Sequence, residues 1–166
     1  MNTLLPLSNA AVLLLLSMLH LYWVLGGMWG HTVTIPTDLN GRKLFRPGAL
    51  TIFSVAIMLL FFALVNLCLI LPVLPMPVKY IRFPLMGIAL MFLLRAVGDF
   101  NYLGFTKRFN KTLFAKLDYA LISPLCLILG ISHLIVAFCS ELMPESPDRR
   151  SLEYSLLLTR QKSAKL

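Results

Sequence analysis

Four stretches of this chain carry no Asp, Glu, Lys or Arg: residues 2–37, 47–78, 83–94 and 119–140. A helix that crosses a bilayer needs about 20 mostly apolar residues. Lipid offers no water to backbone N–H and C=O groups, so apolar runs of this length fold as helices that satisfy their own backbone. The sequence therefore predicts an all-α fold, an integral membrane four-helix bundle, with spans near residues 10–28, 50–71, 83–98 and 119–139. The third run is the shortest. It spans if its helix continues past Arg95, or if Arg95 reaches along the helix to the headgroups. On this reading residues 1–139 form one four-helix domain, and residues 140–166 form a polar C-terminal tail.

Charged residues make up 13% of the chain, where a soluble domain carries about 25%. The net charge of +8 would suggest a nucleic-acid partner in a soluble protein. Here the basic residues fall in loops and tail, where they meet anionic headgroups and orient the chain. No nucleic-acid partner is expected. The N-terminus lacks a basic leader, and its apolar run is too long for a signal peptide, so it reads as the first anchor. Cys68, Cys126 and Cys139 all sit in apolar segments with no Cys-x-x-Cys spacing. They read as small packing residues rather than a disulfide framework.

Four spans place both termini on one side and loops one and three on the other. The basic residues divide seven against seven between the two sides. Those far from a span count less, which favours loops one and three inside. Loop two holds four prolines between Pro72 and Pro84 and breaks the helix. In the tail, Ser146-Pro147-Asp148 is a helix-start signal. Leu152, Leu156 and Leu157 beyond it suit a short interfacial helix. The two halves share no motif, so an inverted-repeat transporter lacks support.

The segment LLRAVGDFNYLGF, residues 93–105, drives an arginine and an aspartate into the end of an apolar run. Ionisable residues at membrane depth are expensive and usually functional. Arg95 and Asp99, four apart, share a helix face. They suit an anion or headgroup site on Arg95, a proton-handling Asp99, or an ion pair that fixes the third helix. Asp118 is expected to cap the fourth helix, with pairing to Arg95 as the second option. Pro124 is expected in that helix's opening turn. Tyr102 and Tyr119 fit an interfacial aromatic belt.

In the first span His20, Trp23 and Gly27 recur at helical spacing. Gly26, Gly27 and Gly30 allow close helix contact or a turn at the helix end. His20 is placed near mid-membrane, facing the bundle interior. Ser123, Cys126, Gly130, His133 and Ala137 form a small-and-polar seam on the fourth span, and His133 is expected to face His20. Two facing histidines can hold haem or a metal, but they have no identifiable supporting carboxylate, and no cofactor or metal is expected. Asn66 is expected to hydrogen-bond a neighbouring helix. There is no phosphate-cradling glycine loop, no Gly-x-Ser-x-Gly elbow and no His-Glu-x-x-His motif.

Several motifs carry a resemblance: His20-x-x-Trp23 followed by Gly26-Gly27, then Leu94-Arg95-Ala96-Val97-Gly98-Asp99-Phe100-x-Tyr102-x-Gly104-Phe105, then Asp118 and Pro124. The chain resembles a family of small bacterial membrane proteins known only as a domain of unknown function. The resemblance covers roughly residues 10–138. It implies a four-helix integral membrane protein of a bacterial cell membrane, and no activity, substrate or cofactor. The candidate site is His20, Trp23, Arg95, Asp99, Tyr102 and Asp118, on a framework of Gly26, Gly27, Gly98, Gly104 and Pro124. The favoured function is a binding or accessory protein with a lipid or small-amphiphile site at the face of loops one and three. Its partners would be the bilayer, such a ligand, and a membrane protein or further copies of itself. The alternatives are an embedded enzyme on a lipid-like substrate, with His20 or Asp99 as acid–base, and a small proton-coupled transporter.

Overall fold

A computed structural model describes residues 3–31, 34–35, 47–71, 78–98, 105 and 112–139. These residues fold as α1 (Leu4–Val24), α2 (Ala49–Ile70), α3 (Val78–Val97), α4 (Leu113–Leu117), a π-helical turn (Asp118–Ile122) and α5 (Ser123–Cys139). The last three run on as a single fourth span, Phe114–Cys139. The fold is an all-α four-helix bundle, and all four helices are long and apolar enough to cross a membrane.

The first helix sits several residues earlier than the sequence placement at 10–28. It starts at Leu4, because Pro6 falls in the first turn, where a missing N–H costs nothing. It stops at Val24 because Gly26 turns to φ +93°. The Gly27 amide then donates to the Tyr22 carbonyl at 2.9 Å and the Gly26 amide to Trp23 at 3.1 Å. This is a Schellman closure, which needs the left-handed residue that glycine supplies. The third helix starts at Val78 and carries Pro84 inside it. It ends at Gly98, φ +84°, whose amide donates to Leu94.

The buried faces follow a three-and-four spacing: Ala10, Leu13 and Ser17 on α1; Ile52, Ala56, Leu59, Ala63 and Asn66 on α2. On α3 the series is Ile81, Leu85, Ile88, Phe92 and Ala96. On α5 the predicted seam of Ser123, Cys126, Gly130, His133 and Ala137 is buried throughout. Large apolar side chains such as Leu15, Phe61, Leu90 and Ile128 face outward instead. The interior thus combines small, polar and apolar residues while the outer surface is largely apolar, which suits helices solvated by lipid.

Helices pack chiefly in two pairs, α1 with α2 and α3 with α5. Within the first, Ser17 Oγ donates to the Ala56 carbonyl at 2.8 Å. Such a bond requires close backbones, which Ala56 allows. Within the second, a Cβ at Gly130 would lie 2.8 Å from the Leu93 side chain and 3.3 Å from the Ala89 carbonyl. Leu13, Leu59, Ala63, Ile88, Phe92 and Leu129 join the two pairs in one apolar core. Two polar contacts also tie them: Ser132 Oγ to Asn9 Oδ1 at 2.8 Å, and Asn66 Nδ2 to His133 Nε2 at 3.0 Å.

Candidate functional site

Proline at position 124 shapes the site. It brings no N–H, and its ring collides with the carbonyl four residues back in a regular helix. The sequence placed it in an opening turn, yet the helix begins eleven residues earlier, at Leu113. The chain resolves the conflict by widening at Asp118–Ile122, so that the Ser123 amide donates to the carbonyl of Asp118, five residues back. A π-helical turn of this kind re-aims the side chains that enter it, and such turns often sit at functional sites.

Asp118 is therefore not the helix cap. Thr112 takes that role, its hydroxyl accepting from the Ala115 amide at 3.1 Å. Asp118 instead lies fully buried inside the span and receives Arg95 Nη2 at 2.9 Å. Arg95 stands in the last turn of α3, where the helix dipole favours a cation. Its side chain is 32% exposed. The pair joins α3 to the fourth span across 23 residues of sequence. Each charge stabilises the other where water is scarce.

Two polar atoms in this region have no hydrogen-bond partner among the described residues. One is Arg95 Nη1, shielded from solvent beside the occupied Nη2; the other is Ser123 Oγ, one π-turn on from Asp118. Above them the chain folds back. The Phe105 amide donates to the Ala96 carbonyl at 3.0 Å, and the Phe105 ring meets Tyr119 edge-on at 5.6 Å.

At the same end of the bundle, the last turns of α1 hold an aromatic cluster. His20 packs edge-on against Trp23 at 4.9 Å, and Trp23 against His31 at 5.7 Å. The Trp23 indole N–H donates to the Trp29 carbonyl at 2.8 Å. His20 Nδ1 lies 2.7 Å from the Leu16 carbonyl, so Nδ1 carries the proton in that bond. His20 is thus in the penultimate turn of α1 rather than mid-span. Gly27, expected on its face, lies beyond the helix end, and a Cβ there would run into the Tyr22 ring.

The expected pairing of His20 with His133 does not occur. His133 lies toward the opposite end, donating from Nδ1 to Leu129 at 2.6 Å and receiving Asn66 at Nε2. Asn66 does reach a neighbouring helix, as its sequence position suggests. No hydrogen bond or ring contact among the described residues joins His20 or Trp23 to Arg95. No group of three His, Cys, Asp or Glu side chains gathers among the described residues.

Asp99, Tyr102 and Gly104 lie outside the described residues, as do the loop-two prolines at 72, 75 and 77 and the tail from residue 140. Sequence reasoning missed His31, because the chain reverses at Gly26 and Gly30 and no periodicity carries across. It also missed Thr112, Asn9 and Ser132. The four-residue steps Asn9–Leu13–Ser17 would have signalled a buried polar face on α1.

No curated protein and no solved structure matches this chain. A family model described as "Protein of unknown function (DUF3995)" matches residues 13–133, from the middle of α1 to His133, and the chain belongs to that family.

Proposed function

We propose that this chain is a multi-pass protein of a bacterial cell membrane that binds the polar end of a lipid or small amphiphile at the face formed by loops one and three. The observation that carries the reading is Arg95 Nη1, a shielded guanidinium nitrogen with no partner among the described residues while its twin holds Asp118. A buried donor left unpaired costs about 1–3 kcal/mol, more when charged. An acceptor oxygen from a ligand removes that cost. Because Asp118 already balances the charge, a headgroup ester, carbonyl or phosphodiester oxygen suits the position better than a free multivalent anion. Leu94, Val97 and Leu121, exposed beside the pair, offer a path for the apolar remainder.

A binding or accessory role suits these features better than catalysis or passage. An embedded enzyme would need Asp99, Arg95 and His20 to converge, and no hydrogen bond among the described residues joins His20 to Arg95. A transporter would need polar groups through the middle, where Leu13, Leu59, Ile88 and Phe92 pack. An accessory role also allows a second membrane polypeptide, or further copies of the chain, to cover this face.

Native mass spectrometry of the gently extracted protein tests the reading, with Arg95→Lys and Arg95→Ala beside wild type. Wild type should retain a defined lipid or amphiphile that Arg95→Ala loses. Arg95→Lys keeps the charge without the two-pronged donor and should retain less. Equal retention by all three, or a second polypeptide in place of any small molecule, removes the ligand site.

A further inference from the structure

A second set of buried polar atoms lies deeper in the bundle, independent of the Arg95 face. Asn9, Ser132, Asn66 and His133 are all buried. The Ser17–Ala56 bond fixes the register of α1 against α2. From it, Asn9 lies eight residues back and Asn66 ten residues on, about 12 and 15 Å along antiparallel axes at 1.5 Å per residue. The two amides therefore sit at nearly the same level. Both meet consecutive residues of α5, Asn9 through Ser132 and Asn66 through His133. Together they form one polar layer shared by three helices.

The layer is incomplete. Asn66 Nδ2 spends its hydrogens on the Phe62 carbonyl at 2.9 Å and on His133 Nε2 at 3.0 Å, which leaves Asn66 Oδ1 without a partner. The orientation of this amide is fixed, because only its nitrogen can donate to Phe62. Asn9 Oδ1 accepts from Ser132, which leaves Asn9 Nδ2 without a partner. Turning the Asn9 amide over does not help: the one Ser132 hydrogen then goes to the Leu129 carbonyl at 2.9 Å and the hydroxyl oxygen accepts from Asn9 Nδ2, so one amide atom of Asn9 stays unpaired either way. Apolar residues close the layer on both sides: Leu13, Leu59 and Phe92 toward the Arg95 end, and Ile81, Leu85 and Val136 toward the other. All four polar side chains are buried from solvent.

We infer that this layer is a binding site for a single internal water molecule bridging Asn9 and Asn66. The site asks for a ligand that donates to Asn66 Oδ1 and completes Asn9, and it is enclosed by side chains. Water meets all three conditions: it donates twice, accepts twice, and is the smallest such molecule. Buried waters in proteins make about three hydrogen bonds to groups otherwise left unpaired.

A crystal structure of the full chain from a lipid phase, at a resolution that shows ordered water, tests this directly. Density within hydrogen-bond distance of both the Asn9 amide and Asn66 Oδ1 is expected. Direct contact between the two amides, or apolar side chains filling the space between them, overturns the inference. Melting temperatures of Asn9→Ala, Asn66→Ala and the double variant give a second reading. A shared water makes the double loss smaller than the sum of the single losses, and additive losses count against it.

Discussion

Arg95 and Asp118 meet at 2.9 Å where the helix carrying Asp118 widens by one residue ahead of Pro124. The ion pair and the irregular turn are one device. It fastens the C-terminal end of α3 to the start of the fourth span.

Loss of Arg95 should be worse than loss of the pair. Asp118 is fully buried, and removing one partner of a buried ion pair costs about 3–5 kcal/mol. Arg95 is one-third exposed, so the lower end applies. Arg95→Ala should destabilise by about 3 kcal/mol, whereas Arg95→Ala with Asp118→Asn should be milder. Unfolding in mild detergent checks the order, and a double variant less stable than Arg95→Ala contradicts it.

Pro124→Ala removes the cause of the widened turn. A regular helix over residues 118–122 would rotate Asp118 away from Arg95. The energetic coupling between Arg95 and Asp118, measured by a double-mutant cycle, should then fall toward zero. Coupling that survives in the Pro124→Ala background would show that the turn has another origin.

Two glycines should respond in opposite directions. A Cβ at Gly130 meets Leu93 and the Ala89 carbonyl, while one at Gly87 meets nothing within 4 Å. Gly130→Ala should destabilise by about 1–3 kcal/mol through overpacking between α3 and α5. Gly87→Ala should stabilise by about 0.5–1 kcal/mol, because alanine loses less backbone freedom in a helix. Matching signs in thermal unfolding would undo this account of the α3–α5 contact.

Trp23 fastens the turn after α1 through its indole N–H. Trp23→Phe keeps a ring against His20 and His31 but forfeits the bond to Trp29, a loss of about 1 kcal/mol. Hydrogen exchange at Trp29–His31 should accelerate while exchange at Leu13–Ser17 stays unchanged. Uniform acceleration would mean that Trp23 supports the whole helix.

Charge-free runs made the four spans legible, because a bilayer tolerates so few alternatives. The α5 seam was legible from small residues at three-and-four spacing. The role of Asp118 was not. The last charge-free run opens at Tyr119, but Thr112 caps a helix that starts before it and carries Lys116 on an exposed face. That earlier start moves Asp118 and Pro124 inside the span, which a scan for charges does not reveal. The sequence pairs His20 with His133 because their spans run antiparallel and both positions fall toward the side of the termini. The position of His20 is set by where α1 ends, which depends on the φ of Gly26, while His133 turns to Asn66 of α2. The Asn9–Ser132 contact joins residues 123 apart, and spacing along one helix carries no information about it.

The core of Leu13, Leu59, Ile88 and Phe92 has a consequence for communication along the molecule. It interposes a block of apolar side chains between the Arg95–Asp118 end and the asparagine layer. No continuous run of side-chain hydrogen bonds among the described residues links one to the other. A change at Arg95 is then felt at Asn66 as a displacement, the α3–α5 pair tilting or sliding against α1–α2. The bundle can act as a lever between its ends, but not as a wire.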